Sequence, residues 1–107
     1  MAIYLGEFEQ LVLLALLRLG AGAGTPAIRE VVEAGSRRKV WIGAVYTTLE
    51  RLESKGLVRS AIVQDDGGGR RRKTYALDPA GERALAHAYE TWTRMTRGLK
   101  PKLEGPR

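Results

Sequence analysis

Seven consecutive apolar residues, Leu11-Val-Leu-Leu-Ala-Leu-Leu17, stand between the acidic pair Glu7 and Glu9 and the stretch Gly20-Ala-Gly-Ala-Gly24. A run this short cannot span a membrane, which takes about 20 residues. No basic segment leads into it and no small-residue cleavage site follows, so it is not expected to be a signal peptide. It reads as one helix from about Glu7 to Leu19. Carboxylates in its first turn suit the helix dipole, and the glycines beyond its last turn stop it. Being apolar nearly all round, this helix is expected at the centre of the fold, with everything else wrapped on it. In a chain of 107 residues that leaves room for one domain with a small core.

The punctuation of the remaining sequence sets the order of elements. Thr25-Pro26 pairs a hydroxyl N-cap with proline at the first helical position, and predicts a short helix from about Pro26 to Ala34 ended by Gly35. A basic turn, Ser36-Arg-Arg-Lys39, leads to a third helix from about Ile42 to Lys55. There Ile42, Val45, Leu49 and Leu52 recur at helical spacing and are expected on the core, with Gly56 as the left-handed closing residue. The β-branched segment Leu57 to Val63, the turn Asp65-Asp-Gly-Gly-Gly69 and the segment Arg72 to Leu77 form a hairpin. Asp78-Pro79 repeats the cap-and-proline signal and opens a fourth helix to about Arg97, ended by Gly98 and Pro101. The tail from Lys100 to Arg107 is expected to be loosely ordered. Helix, helix, helix, hairpin, helix is an α+β fold, mainly α: a winged helix-turn-helix with an added C-terminal helix.

Composition narrows the chemistry. There is no cysteine, hence no disulfide, no thiolate nucleophile and no cysteine zinc site, and the single histidine, His87, excludes a histidine cluster. No phosphate loop and no nucleophile-base arrangement is present, so neither an enzyme nor a bound cofactor is expected. The formal charge of +6 is unevenly spread. Residues 35–73 hold ten basic residues against four acidic ones, and the rest of the chain is balanced at eight of each. All the excess therefore sits in the turn, the third helix and the hairpin, where a winged helix meets a polyanion.

Three motifs carry a resemblance: Leu5-Gly-Glu-Phe-Glu-Gln-Leu-Val-Leu-Leu-Ala-Leu-Leu17; Gly43-Ala-Val-Tyr-Thr-Thr-Leu-Glu-Arg-Leu-Glu53 with Lys55-Gly-Leu-Val58; and Gly69-Arg-Arg-Arg-Lys-Thr-Tyr-Ala-Leu-Asp-Pro-Ala-Gly81. In this order and spacing they resemble the PadR family of bacterial transcriptional regulators, over about residues 3 to 90. The resemblance implies a dimeric winged-helix DNA-binding protein, usually a repressor, whose fourth helix dimerises and whose repression a small molecule often relieves. Many members of the family carry proline where this chain has Thr47, and several a small polar residue where it has Trp41.

At about 100° per residue, Val45, Leu49 and Leu52 fall on one side of the third helix and Gly43, Thr47, Glu50 and Ser54 on the other. Tyr46 lies on one flank, Arg51 and Lys55 on the other. Early exposed positions of such a helix enter the major groove, so Gly43, Tyr46, Thr47 and Arg51 are candidate DNA contacts. Tyr46 could instead brace the hairpin as a half-buried aromatic, and Glu50 could be simply solvated. Arg70, Arg71, Arg72 and Lys73 beside three glycines make a basic wing tip able to reach phosphates or the minor groove. Asp65 and Asp66 are expected at its root or far side, and Arg37, Arg38 and Lys39 on the DNA backbone.

On the fourth helix Leu85, Ala88, Trp92, Met95 and Leu99 recur at intervals of 3 and 4, the seam of a short coiled coil, and Tyr89 widens the stripe. These residues are expected to bury against a partner subunit or its first helix, in a homodimer that sets two reading helices roughly 34–36 Å apart. Tyr89 and Trp92 either pack there or line a pocket for a flat apolar or aromatic effector; His87 falls off the seam. The domain reading is 1–78 for the winged helix, 79–98 for the dimerisation helix and 99–107 for a flexible tail. The functional reading is a cytoplasmic, sequence-specific DNA-binding regulator with double-stranded DNA as partner and no membrane. The alternative is a small-molecule sensor or protein-interaction winged helix that reads no specific site.

Overall fold

A computed structural model describes residues 4–65 and 67–105, and the expectation for Asp66 lies outside them. The first helix, α1, spans Glu7–Leu19, and Val12, Leu13, Ala15 and Leu16 are buried in the core. It is not enclosed all round as expected. Leu14 and Leu17 are exposed, Leu17 at 57%, because the described elements cover α1 incompletely on this flank. Glu9 ties the start of α1 to the rest: one carboxylate oxygen accepts from the Gly6 backbone N–H at 2.9 Å, the other from Lys55 Nζ at 2.8 Å. Burial opposes the charge on Glu9, but the Lys55 ammonium, the Gly6 N–H and nearby Arg51 outweigh it and hold the carboxyl below its usual range.

Helix α2 spans Thr25–Ser36, and its ends differ from those read in the sequence. Gly24, not Thr25, is the N-cap; Thr25 is already helical and buried, with Pro26 following. Gly35 does not end the helix. Ser36 continues it, its hydroxyl donating to the Val32 carbonyl at 2.7 Å, and Arg37 closes it in the left-handed region at φ 55. Helix α3 spans Ile42–Ser54 and buries Val45, Leu49 and Leu52 completely, with Thr48 beside them. Ile42, expected on the core, is 39% exposed because it is the first residue of the helix and lies ahead of the packed face. Gly56 closes α3 at φ +76, as its position predicted.

Strands β2 (Val58–Gln64) and β3 (Arg71–Leu77) form the expected antiparallel hairpin, in register from Val58 opposite Leu77 to Gln64 opposite Arg71. A two-residue strand, β1 (Ala23–Gly24), adds to the other side of β3, so the sheet order is β1-β3-β2. In the sequence the stretch Gly20 to Gly24 signals only a helix stop, since two residues are too few to show a strand period. Pairing β1 with Tyr75 and Thr74 fixes the hairpin to the start of α2.

Asp78 caps α4 (Pro79–Thr96) as predicted, its carboxylate accepting from the Ala80 N–H at 2.9 Å. The buried Gly81 lets α4 rest directly on the Leu57 carbonyl. Beyond Gly98, where a loosely ordered tail was expected, residues Lys100–Glu104 form a short helix, α5. Among the described residues no helix is long and apolar enough to cross a membrane.

Candidate nucleic-acid interface

Gly43, Tyr46, Thr47 and Glu50 are all exposed on the side of α3 away from the core, as the helical spacing required. Tyr46 is 48% exposed, and it lines a cleft together with residues 24–27 at the start of α2 and residues 70–73 of the hairpin. The fold thus gathers the middle of α3, the first turn of α2 and the basic run of the wing around one concave surface. Backbone N–H groups at a helix start and arginine guanidinium groups both favour anions.

The cations of the basic segment are not equivalent. Arg72 pairs with Asp65 at 3.6 Å, which puts Asp65 at the root of the turn as expected; the Asp65 N–H also closes the turn onto the Arg70 carbonyl at 3.1 Å. Lys73 leans back over the hairpin. Its Nζ lies 3.5 Å from Glu53 and 5.7 Å from the centre of the Tyr75 ring. The other oxygen of Glu53 accepts from the Ser60 hydroxyl at 2.5 Å. Glu53, near the end of α3, therefore holds both strands of the wing and sets its angle to the helix. The sequence reading missed this brace because Glu53, Ser60 and Lys73 share no local spacing. Burial raises the Tyr75 phenol above its ordinary range, with Lys73 opposing and Glu53 adding to the effect.

At the α2–α3 turn, Arg38 reaches back to Glu7 at 3.1 Å, and Lys39 sits 5.3 Å from the centre of the Trp41 ring. The turn is anchored by the Val40 N–H donating to Glu33 at 2.8 Å, a carboxylate that Arg29 also holds at 3.2 Å. Arg37, Lys39, Arg51, Arg70 and Arg71 form no ion pair with another described residue. All five are exposed. They leave uncompensated charge along the turn, α3 and the wing.

A second surface lies between α1 and α4. Tyr89, Trp92 and Met95 of α4 are exposed, as are Leu14 and Leu17 of α1. Gln10, Leu14, Ala88, Tyr89 and Trp92 line a groove between the two helices. Two corrections apply to the seam read from the sequence. Leu85 belongs to the core of its own protomer, because the first turns of α4 dock on α1. Leu99, the last residue of the expected seam, lies beyond the end of α4, at the N-cap of the short helix α5. His87 is exposed, off this surface, as expected. Among the described residues no cluster of His, Asp or Glu could hold a metal ion.

Three helices with a helix-turn-helix pair, a β-hairpin wing and a long C-terminal helix define a winged helix-turn-helix protein. Residues 13–87 match the family described as the transcriptional regulator PadR-like family, and the chain belongs to it. No curated protein sequence matches the chain. Solved structures do. The chain is similar to a PadR-like transcription factor from Bacteroides fragilis, with 25% identity over 86% of this chain and 85% of that one and a TM-score of 0.73. It is similar to a PadR family transcriptional regulator from Eggerthella lenta, with 29% identity over 94% and 88% and a TM-score of 0.68. RosR of H. salinarum matches with 26% identity over 88% and 79% and a TM-score of 0.71. The protein is thus a winged helix-turn-helix transcriptional regulator, as its motifs implied.

Proposed function

We propose that this regulator binds a specific double-stranded DNA site as a homodimer in the cytoplasm and represses transcription from it. The face presented to DNA carries Gly43, Tyr46, Thr47 and Arg51 of α3, flanked by Arg37, Arg38 and Lys39 of the turn and by Arg70, Arg71 and Arg72 of the wing. One observation carries this reading: the cleft that joins Tyr46 to the wing arginines, with Arg70 and Arg71, which have no ion-pair partner among the described residues, in its lining. The helix would supply contacts to base edges and the cations contacts to phosphate. Lys73 is given a different role from the one its sequence position implied, bracing the wing through Glu53.

This division of labour is measurable by DNA-binding anisotropy at several salt concentrations. Arg71→Ala is expected to weaken all sequences alike and to reduce the salt slope by about 1, the value for one lost phosphate contact. Lys73→Ala is expected to leave the slope nearly unchanged. Equal slopes for the parent protein and Arg71→Ala would remove the wing from the interface.

A second reading concerns the groove between α1 and α4, favoured by its apolar lining from Leu14, Tyr89 and Trp92. The ligand class we propose for it is a flat apolar or aromatic effector, whose binding at the dimer surface would shift the spacing of the two reading heads.

A further inference from the structure

Trp41 is the largest apolar side chain on the basic side of the molecule, and neither the core nor the reading face of α3 uses it. It occupies the N-cap of α3, where a short polar side chain would satisfy a free backbone N–H, yet its side chain makes no capping bond. The indole is 71% exposed. Tryptophan, with an apolar body and a polar ring N–H, is enriched at contact surfaces. Its neighbours say which kind of surface. Lys39 stands 5.3 Å from the ring centre, and the exposed Arg37 lies two residues further back. Arg37 also holds a left-handed backbone conformation at φ 55, where glycine would be easier. A long cationic side chain is thus kept at a strained position in the same turn.

We infer that Trp41 is a DNA-contacting residue: its indole lies against the sugar-phosphate edge of the duplex beside α3, with the ring N–H free to donate to a phosphate. The charge around it selects this occupant. The ring shares a groove with Glu7, Phe8, Arg38, Lys39, Val40 and Ala44, and Glu7 there is already paired with Arg38. The charge left over is positive and fits a polyanion with apolar sugar faces, whereas an apolar protein partner would have to strip water from Lys39 and Arg37. The inference rests on the DNA-binding reading given above, and adds to it a contact outside the groove that carries no charge.

The test uses the full-length protein and a labelled duplex taken from immediately upstream of its own coding sequence. Binding is followed by DNA anisotropy, and tryptophan by its own emission and by acrylamide quenching. DNA is expected to quench the emission and shield it from acrylamide at the concentration that saturates anisotropy, and both changes are expected to vanish in Trp41→Phe. Trp41→Ala is expected to weaken binding about tenfold, roughly the effect of one aromatic contact on nucleic acid, with the salt slope unchanged. A fallen slope would mean that the substitution had displaced Arg37 and Lys39 instead, and would overturn the contact. So would a bound duplex that leaves Trp41 as open to acrylamide as before, or a Trp41 already shielded without DNA, which would assign it to a protein surface. If anisotropy shows no DNA binding at all, the DNA-binding reading fails and the inference falls with it.

Discussion

Replacing Gly81 with alanine is expected to lower the stability of the fold by about 3 kcal/mol, the upper part of the range for overpacking a close contact. A Cβ at this position would stand 2.1 Å from the Leu57 carbonyl oxygen, 3.1 Å from its carbon and 3.2 Å from Leu77 Cδ2. The oxygen cannot retreat freely, because it accepts the Asp78 N–H at 3.0 Å, the bond that turns the chain from β3 into α4. Alanine ordinarily stabilises a helix interior over glycine by up to about 1 kcal/mol. Gly35, inside α2 with open space at its Cβ, is expected to show that gain. Opposite signs for Gly35→Ala and Gly81→Ala in urea denaturation, at fixed protein concentration, would show that the loss comes from the docking of α4 on Leu57 and not from helix propensity. Equal signs would contradict that close approach.

The second large effect is expected at Trp92. With 64% of it exposed in the single chain, Trp92→Glu removes little from the core of the protomer. In a dimer formed through α4 it would place an unpaired carboxylate beside Tyr89 and Leu14, where desolvating a charge is costly. The variant is expected to sediment as a monomer at micromolar concentration with its circular dichroism unchanged. Losing the second half-site contact is expected to weaken binding to a two-half-site duplex by about 10²–10⁴-fold. His87→Glu, exposed and off this surface, is expected to change neither property. A dimeric Trp92→Glu would place the subunit contact elsewhere.

What was legible in the sequence follows from the range over which each signal acts. The bounds of α1, the closing role of Gly56 and the Asp78 cap were read correctly because each depends on residues within a turn of one another. The hairpin was readable from its β-branched segments and its glycine turn. Strand β1 was not, since pairing Ala23 with Tyr75 is a tertiary event that leaves no local period. The end of α2 was misplaced because an arginine, rather than the nearby glycine, takes the left-handed position. In the candidate site, helical spacing placed Gly43, Tyr46 and Thr47 on the outer face, but charge counting treated ten cations as one set. Only the folded chain separates Arg70 and Arg71, which have no ion-pair partner among the described residues, from Arg72, which shares Asp65, and Lys73, which Glu53 holds. Likewise, the stripe at intervals of 3 and 4 on α4 located an apolar face but could not divide it between the protomer's own core, which takes Leu85, and the surface left open.

The central claim is that this basic face reads sequence, not merely charge. It is tested most directly by titrating the protein against the duplex from upstream of its own coding sequence and against a shuffled duplex of the same composition, at physiological salt with competitor DNA present. Specific binding is expected to exceed non-specific binding by at least about 10³-fold, the lower end for site-specific regulators. A ratio near one would contradict the claim and leave a winged helix that binds DNA, if at all, through its charge alone.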